Sequence, residues 1–117
     1  MTEIPTPTHP QLIGARPSSA VEKAYQTLRK QTARADPHAQ FTKGALEAYR
    51  WAMGSDVSAP LTGARTVGVP GLQRLTSEID TAVVQLEDVT QQAGPRAFAQ
   101  GVHDALAWVC GLSDQRP

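Results

Sequence analysis

Two fourteen-residue segments of this chain follow one pattern. Phe41-Thr42-Lys43-Gly44-Ala45-Leu46-Glu47-Ala48-Tyr49-Arg50-Trp51-Ala52-Met53-Gly54 aligns without gaps with Phe98-Ala99-Gln100-Gly101-Val102-His103-Asp104-Ala105-Leu106-Ala107-Trp108-Val109-Cys110-Gly111, 57 residues on. Phe, Gly, an acid, Ala, Trp and a closing Gly coincide. Upstream, with one residue of slip, Val21, Ala24 and Leu28 match Ile79, Ala82 and Leu86, and Asp36-Pro37 matches Gly94-Pro95. Internal self-similarity of this kind marks a repeated supersecondary unit. The expected fold is all-α, a four-helix domain built from two tandem helical-hairpin repeats behind a flexible Pro-rich N-terminal arm.

The boundaries come from capping and breaker residues. Residues 1–17 carry Pro5, Pro7, Pro10 and Pro17 among Thr, Gly and Ser, a composition that favours an extended arm. The remaining residues, 18–117, form a single helical domain: repeat one over 18–54, a Gly/Pro-rich linker over 55–70, repeat two over 71–111 and a short tail over 112–117. Ser19-Ala20-Val21-Glu22 reads as a capping box that starts helix one, which runs to about Ala35. Asp36 as N-cap with Pro37 at the first helical position starts helix two, which closes at Met53 with Gly54 as its C′ residue. Helix three, about Gly71 to Ala93, shows Leu72, Leu75, Ile79, Ala82, Leu86, Val89 and Ala93 at an unbroken three-four spacing. Gly94 ends it, and Pro95 opens helix four, which closes at Gly111.

Within each repeated segment Phe, Gly, Ala and Trp fall at i, i+3, i+7 and i+10 and share one face. Gly44 with Ala48, and Gly101 with Ala105, remove side-chain bulk between two large aromatics. Each mid-helix Gly costs about 1 kcal/mol relative to Ala, so its double use points to a close helix approach. That approach is either internal, helix two against helix four across a pseudo-twofold axis, or external, with one face left open to a partner helix or a second copy of the chain.

Charge separates along the chain. Residues 1–65 hold eight Lys/Arg against five Asp/Glu, and residues 66–117 hold three against six, so +3 and −3 sum to the overall zero. Helix one carries Lys23, Arg29, Lys30 and Arg34; helix three carries Glu78, Asp80, Glu87 and Asp88. These are either two solvated faces or complementary surfaces that set the orientation of two protomers. A zero net charge exerts no global pull toward nucleic acid or an anionic membrane. No apolar run suits a membrane span, Met1 to Pro5 lack a basic start and an apolar core of a signal, and the lone Cys110 cannot form an internal disulfide, so a cytoplasmic location is expected.

Candidate chemistry is sparse. His103 and Cys110 stand two helical turns apart, about 10 Å by rise, which is too far for a dyad. Cys110 occupies the repeat position of Met53 and reads as a buried thiol. Glu47 and Asp104 are equivalent carboxylates, a pairing that a general acid/base site between the repeats could use with Arg50 and His103; Lys43 and Arg50 offer Glu47 an ordinary ion pair instead. No spacing matches a metal site, and no Gly-rich stretch fits a phosphate loop, so no catalytic residue, cofactor or metal is expected.

The expected function is a non-enzymatic helical interaction protein, a regulator, adaptor or inhibitor that works through protein contacts and self-associates as a homodimer. The alternatives are a DNA-associated regulator using the basic face of helix one and a small helical-bundle enzyme with its site between the repeats. The expected partner-binding residues are Lys23, Tyr25, Arg29, Lys30 and Arg34 on helix one, with Tyr49, Arg50 and Trp51 on helix two, since exposed aromatics and Arg are the usual anchors.

Overall fold

The computed structural model describes residues 12–31, 38–55 and 57–117. Of these, 62% are helical, in four helices accompanied by one two-stranded sheet. The elements are β1 (Leu12–Ile13), β2 (Arg16–Pro17), α1 (Ser18–Gln31), α2 (Ala39–Ala52), α3 (Leu72–Glu87) and α4 (Ala93–Val109). No helix among the described residues is long and apolar enough to cross a membrane.

The core is organised by α2 and α4, which pack along their length, with α1 against α2 and α3 against α4. The internal reading of the small-residue face therefore holds. A Cβ on Gly44 would stand 3.0 Å from the carbonyl carbon of Phe98, and one on Gly101 would stand 2.9 Å from the carbonyl carbon of Phe41, with each oxygen closer still. The obstruction is backbone, so only glycine permits the crossing. Ala48 and Ala105 are fully buried beside it, and Tyr49, Trp51 and Trp108 close the core around them. Tyr49 and Trp108 meet edge to face, 6.2 Å between ring centres and 88° between planes, a favoured aromatic geometry.

Both central helices end alike. Gly54 and Gly111 adopt φ of +78° and +75°. Gly54 N–H donates to Trp51 O and Ser55 N–H to Arg50 O; in α4, Gly111 N–H donates to Trp108 O and Leu112 N–H to Ala107 O. Each pair is the double bond of a Schellman motif, which satisfies carbonyls the helix leaves open.

Several boundaries differ from expectation, each for a tertiary reason. Helix one starts at Ser18, and Glu22 accepts a 2.9 Å hydrogen bond from Gln26 Nε2. The expected Asp36-Pro37 start lies outside the described residues. Helix three ends at Glu87. There Asp88 Oδ1 takes hydrogen bonds from Thr90 N–H (2.9 Å) and Thr90 Oγ1 (2.7 Å), a local turn that competes with the helix. Arg96 from α4 reaches back to Leu86 O and Asp88 O and binds the carbonyls left at that end. The long apolar seam is thus covered only in its middle: Leu75, Ile79 and Ala82 are buried, whereas Leu72, Val89 and Ala93 are exposed. α4 begins two residues before Pro95, whose missing N–H is harmless in a first turn.

Residues 1–11 of the expected arm lie outside the described residues, and its remainder, 12–17, together with the described part of the linker, is more ordered than composition implies. Residues 12–17 form an antiparallel hairpin with Ile13 buried in the core. Arg16 Nε donates to Trp108 O at 2.7 Å, Arg16 Nη2 to Ser113 O at 2.9 Å, and Ala15 N–H to Val109 O at 2.9 Å. The guanidinium also lies 4.7 Å from the Trp108 ring centre, within cation–π range. In the linker, Ala59 and Pro70 are buried, and Val57, Leu61, Ala64 and Val69 pack on the core.

Candidate functional site

The expected partner-binding residues do not form one surface. Tyr49 and Trp51 are buried at 0% and 2% exposure, so neither can anchor a partner. Their position on the apolar stripe of α2 accounts for this. Burial also raises the Tyr49 hydroxyl well above its ordinary pKa, with the Arg116 charge opposing weakly. Tyr25 is half-buried against the core, while Lys23, Arg29, Lys30 and Arg50 are exposed. Arg34 lies outside the described residues. On α1, Lys23 and Lys30 are seven residues apart, two turns on one stripe, opposite the buried Val21, Ala24 and Leu28.

The acidic helix is where expectation and structure part most sharply. Asp80 and Glu87 are exposed on the outer stripe of α3 and flank Val84, itself 66% exposed. Glu78 is instead buried, at 1% exposure. Its Oε2 accepts hydrogen bonds from Leu61 N–H and Thr62 N–H, and its Oε1 accepts a 2.8 Å bond from Thr62 Oγ1. A buried carboxylate is tolerated only when so satisfied. Glu78 therefore latches the linker onto α3. Its place between Leu75 and Ala82, beside Ile79, was the sequence signal that it borders the buried arc.

Beside this latch lies a half-open cleft of about 430 Å³, within the size range of small-molecule sites. Trp51 and Ala64 supply its apolar wall, and Gln73, Arg74, Ser77 and Glu78 of α3 supply the polar one. The Trp51 indole N–H is buried without a hydrogen-bond acceptor. Among the described residues the side chains of Gln73, Arg74 and Ser77 have no hydrogen-bond or ion-pair partner.

The carboxylates expected to pair between the repeats are not gathered. Asp104 Oδ1 accepts from Gln100 Nε2 at 2.7 Å and lies 3.0 Å from His103 Nδ1. These two residues border a 200 Å³ pocket closed by Ser113, Gln115 and Arg116 of the tail, and neither Glu47 nor Arg50 lines it. Cys110 is half-buried rather than enclosed, and desolvation raises its thiol pKa, which disfavours the nucleophilic thiolate. Among the described residues no three His, Cys, Asp or Glu side chains cluster as metal ligands would. No family model, curated protein or solved structure matches this chain.

Proposed function

We propose that this is a non-enzymatic, cytoplasmic interaction protein whose core arose by tandem duplication of a helical hairpin, and which associates with itself through the outer faces of α1 and α3. The duplication is supported by the reciprocal seating of Gly44 on Phe98 and Gly101 on Phe41, and by the matching Schellman ends of α2 and α4.

The observation that carries the functional reading is the segregation of exposed charge. Lys23 and Lys30 line one stripe of α1, and Asp80 and Glu87 flank an exposed valine on α3. A twofold dimer would set α1 of each protomer against α3 of the other, so the same complementary contact forms twice. Exposed pairs contribute little individually, so the charges select orientation while the exposed Val84 supplies apolar contact. The DNA-binding and enzymatic alternatives gain no observation of comparable weight.

Light scattering tests this reading. The expected result is a dimer of twice the 12.5 kDa chain mass at low salt that weakens at high salt. Replacing Lys23 and Lys30 by Glu abolishes it, and adding Asp80→Lys and Glu87→Lys to the same chain restores it. A monomer at both salts, or a dimer indifferent to the charge swap, overturns the proposal.

A further inference from the structure

We infer that the end of the fold where α2 and α4 close is a docking surface for an anionic lipid bilayer. The inference does not rest on the dimer, whose Asp80, Val84 and Glu87 lie further along α3.

The fold gathers this end from four parts of the chain. Phe41 meets Gly101, Gly44 meets Phe98 and Tyr49 meets Trp108, so α2 and α4 run parallel and their Schellman ends at Gly54 and Gly111 lie together. The 12–17 hairpin seats there, with Ala15 N–H on Val109 O. The linker returns to the same place, since a Cβ on Gly54 would stand 2.8 Å from Gly68 C and Val69 N, and Ile13, Met53 and Val69 border one hollow. α3 runs antiparallel to α4, its last carbonyls held by Arg96 in the first turn of α4, and this brings Leu72 and Arg74 to the same end beside Trp51.

Most of the exposed aliphatic surface collects here. Val67 is 100% exposed, Leu112 68%, and Leu12 and Leu72 57% each; of the large apolar side chains exposed among the described residues, only Val84 and Val89 lie elsewhere. The four belong to a hairpin strand, a linker turn, the start of a helix and the tail, so they offer separate tips. Leu and Val are poor anchors for a protein partner. A fluid bilayer accepts separate aliphatic tips without shape complementarity, and its affinity grows with the apolar area they insert.

Charge complements the tips. Arg50, Arg65, Arg74 and Arg116 are exposed at this end, and none has an ion-pair partner among the described residues. The exposed acids described here are Glu22, which accepts from Gln26, and Asp114, which stands 3.9 Å from Arg16; Glu78 is buried under the linker. A net charge of zero over the whole chain therefore coexists with a local excess of cations. Each Arg held near an anionic leaflet is worth about fivefold in affinity. Neither signal alone holds a protein on a membrane, whereas apolar insertion and a basic patch together do. A nucleic-acid backbone would use the arginines and gain nothing from the aliphatic tips.

The test is co-sedimentation of the intact protein with vesicles of phosphatidylcholine alone and of phosphatidylcholine mixed with phosphatidylglycerol, at low and at near-physiological salt. The expected result is saturable binding to the mixed vesicles, at least about tenfold tighter than to phosphatidylcholine, that weakens as salt rises. Arg65→Gln combined with Arg74→Gln is expected to weaken it about 25-fold, two cations at about fivefold each. Val67→Ser combined with Leu112→Ser is expected to weaken it about tenfold. Lys43→Gln, near the opposite end of α2, is expected to leave it unchanged. Every exchanged side chain is exposed, so thermal unfolding should show the fold retained in each variant. Equal binding to the two vesicle types, no binding to the mixed vesicles at low salt, or full retention in either double variant would each overturn the assignment. So would binding of duplex DNA that matches the mixed vesicles and survives the Val67→Ser and Leu112→Ser exchanges, which would give the arginines to nucleic acid.

Discussion

Gly44→Ala should destabilise the protein, although Ala is the better helix former. Considered alone, α2 would gain about 1 kcal/mol from the exchange. In the fold, the new methyl would stand 3.0 Å from the carbonyl carbon of Phe98 and nearer to its oxygen. A backbone atom cannot rotate aside as a side chain would, so α2 and α4 must separate by roughly 1 Å, which forfeits about a quarter to a half of the dispersion energy of each contact across the crossing. Overpacking of this kind costs about 1–3 kcal/mol, and a rigid obstruction belongs at or above the upper end. Net of propensity, the expected loss is about 2 kcal/mol, or about 8 °C in Tm for a domain of this size. Gly101→Ala should lose a similar amount against Phe41. Because one separation accommodates both methyls, the double variant should lose clearly less than the sum of the singles. Gly94→Ala, in the first turn of α4 with open space around it, is the control and should be neutral to about 1 kcal/mol stabilising. Urea unfolding measures all four. Neutral or stabilising single exchanges at 44 and 101, or strict additivity, would refute the claim that glycine sets the helix separation.

Two further perturbations address the parts of the chain whose composition suggested disorder. Glu78→Ala leaves Leu61 N–H and Thr62 N–H without their acceptor and should cost about 2–4 kcal/mol; hydrogen exchange should show residues 59–64 losing protection first, and unchanged protection there would remove Glu78 from the role of latch. Arg16→Ala removes two hydrogen bonds and a ring contact at the end of α4 and should cost about 1–3 kcal/mol. Limited proteolysis should then cut within residues 12–17 faster than in the parent, and equal cutting rates would mean that Arg16 does not hold the hairpin.

The central architecture was legible because it depends on local spacing. Gly44 and Gly101 sit at matching places on apolar stripes, and that alone foretold a close crossing of two helices. The same periodicity that places Trp51 on the shared face also argues for its burial, and the expectation that it anchors a partner gave that too little weight. Glu78 shows what spacing reveals only in part: its place beside Ile79 marks the edge of the buried arc, while the hydrogen-bond donors that satisfy it lie in a loop 16 and 17 residues upstream. Val89 keeps the three-four rhythm of α3, yet Thr90 bonding to Asp88 ends the helix before it. The cleft likewise joins Trp51 to Arg74 through a linker fold that no motif announces.

The hairpin at Arg16 has a consequence for the order in which the protein can be completed. Its acceptor on Trp108 lies 92 residues downstream. At a synthesis rate of about 5–20 residues per second, Arg16 is therefore made roughly 5–20 s before the carbonyl it binds. During that interval Ile13 has no Val109 terminus to close over, and the α2 crossing lacks its α4 counterpart. Both halves of the core thus wait on the same late segment, so the growing chain should lock almost at once when α4 becomes available rather than accumulate stable folded fragments along the way.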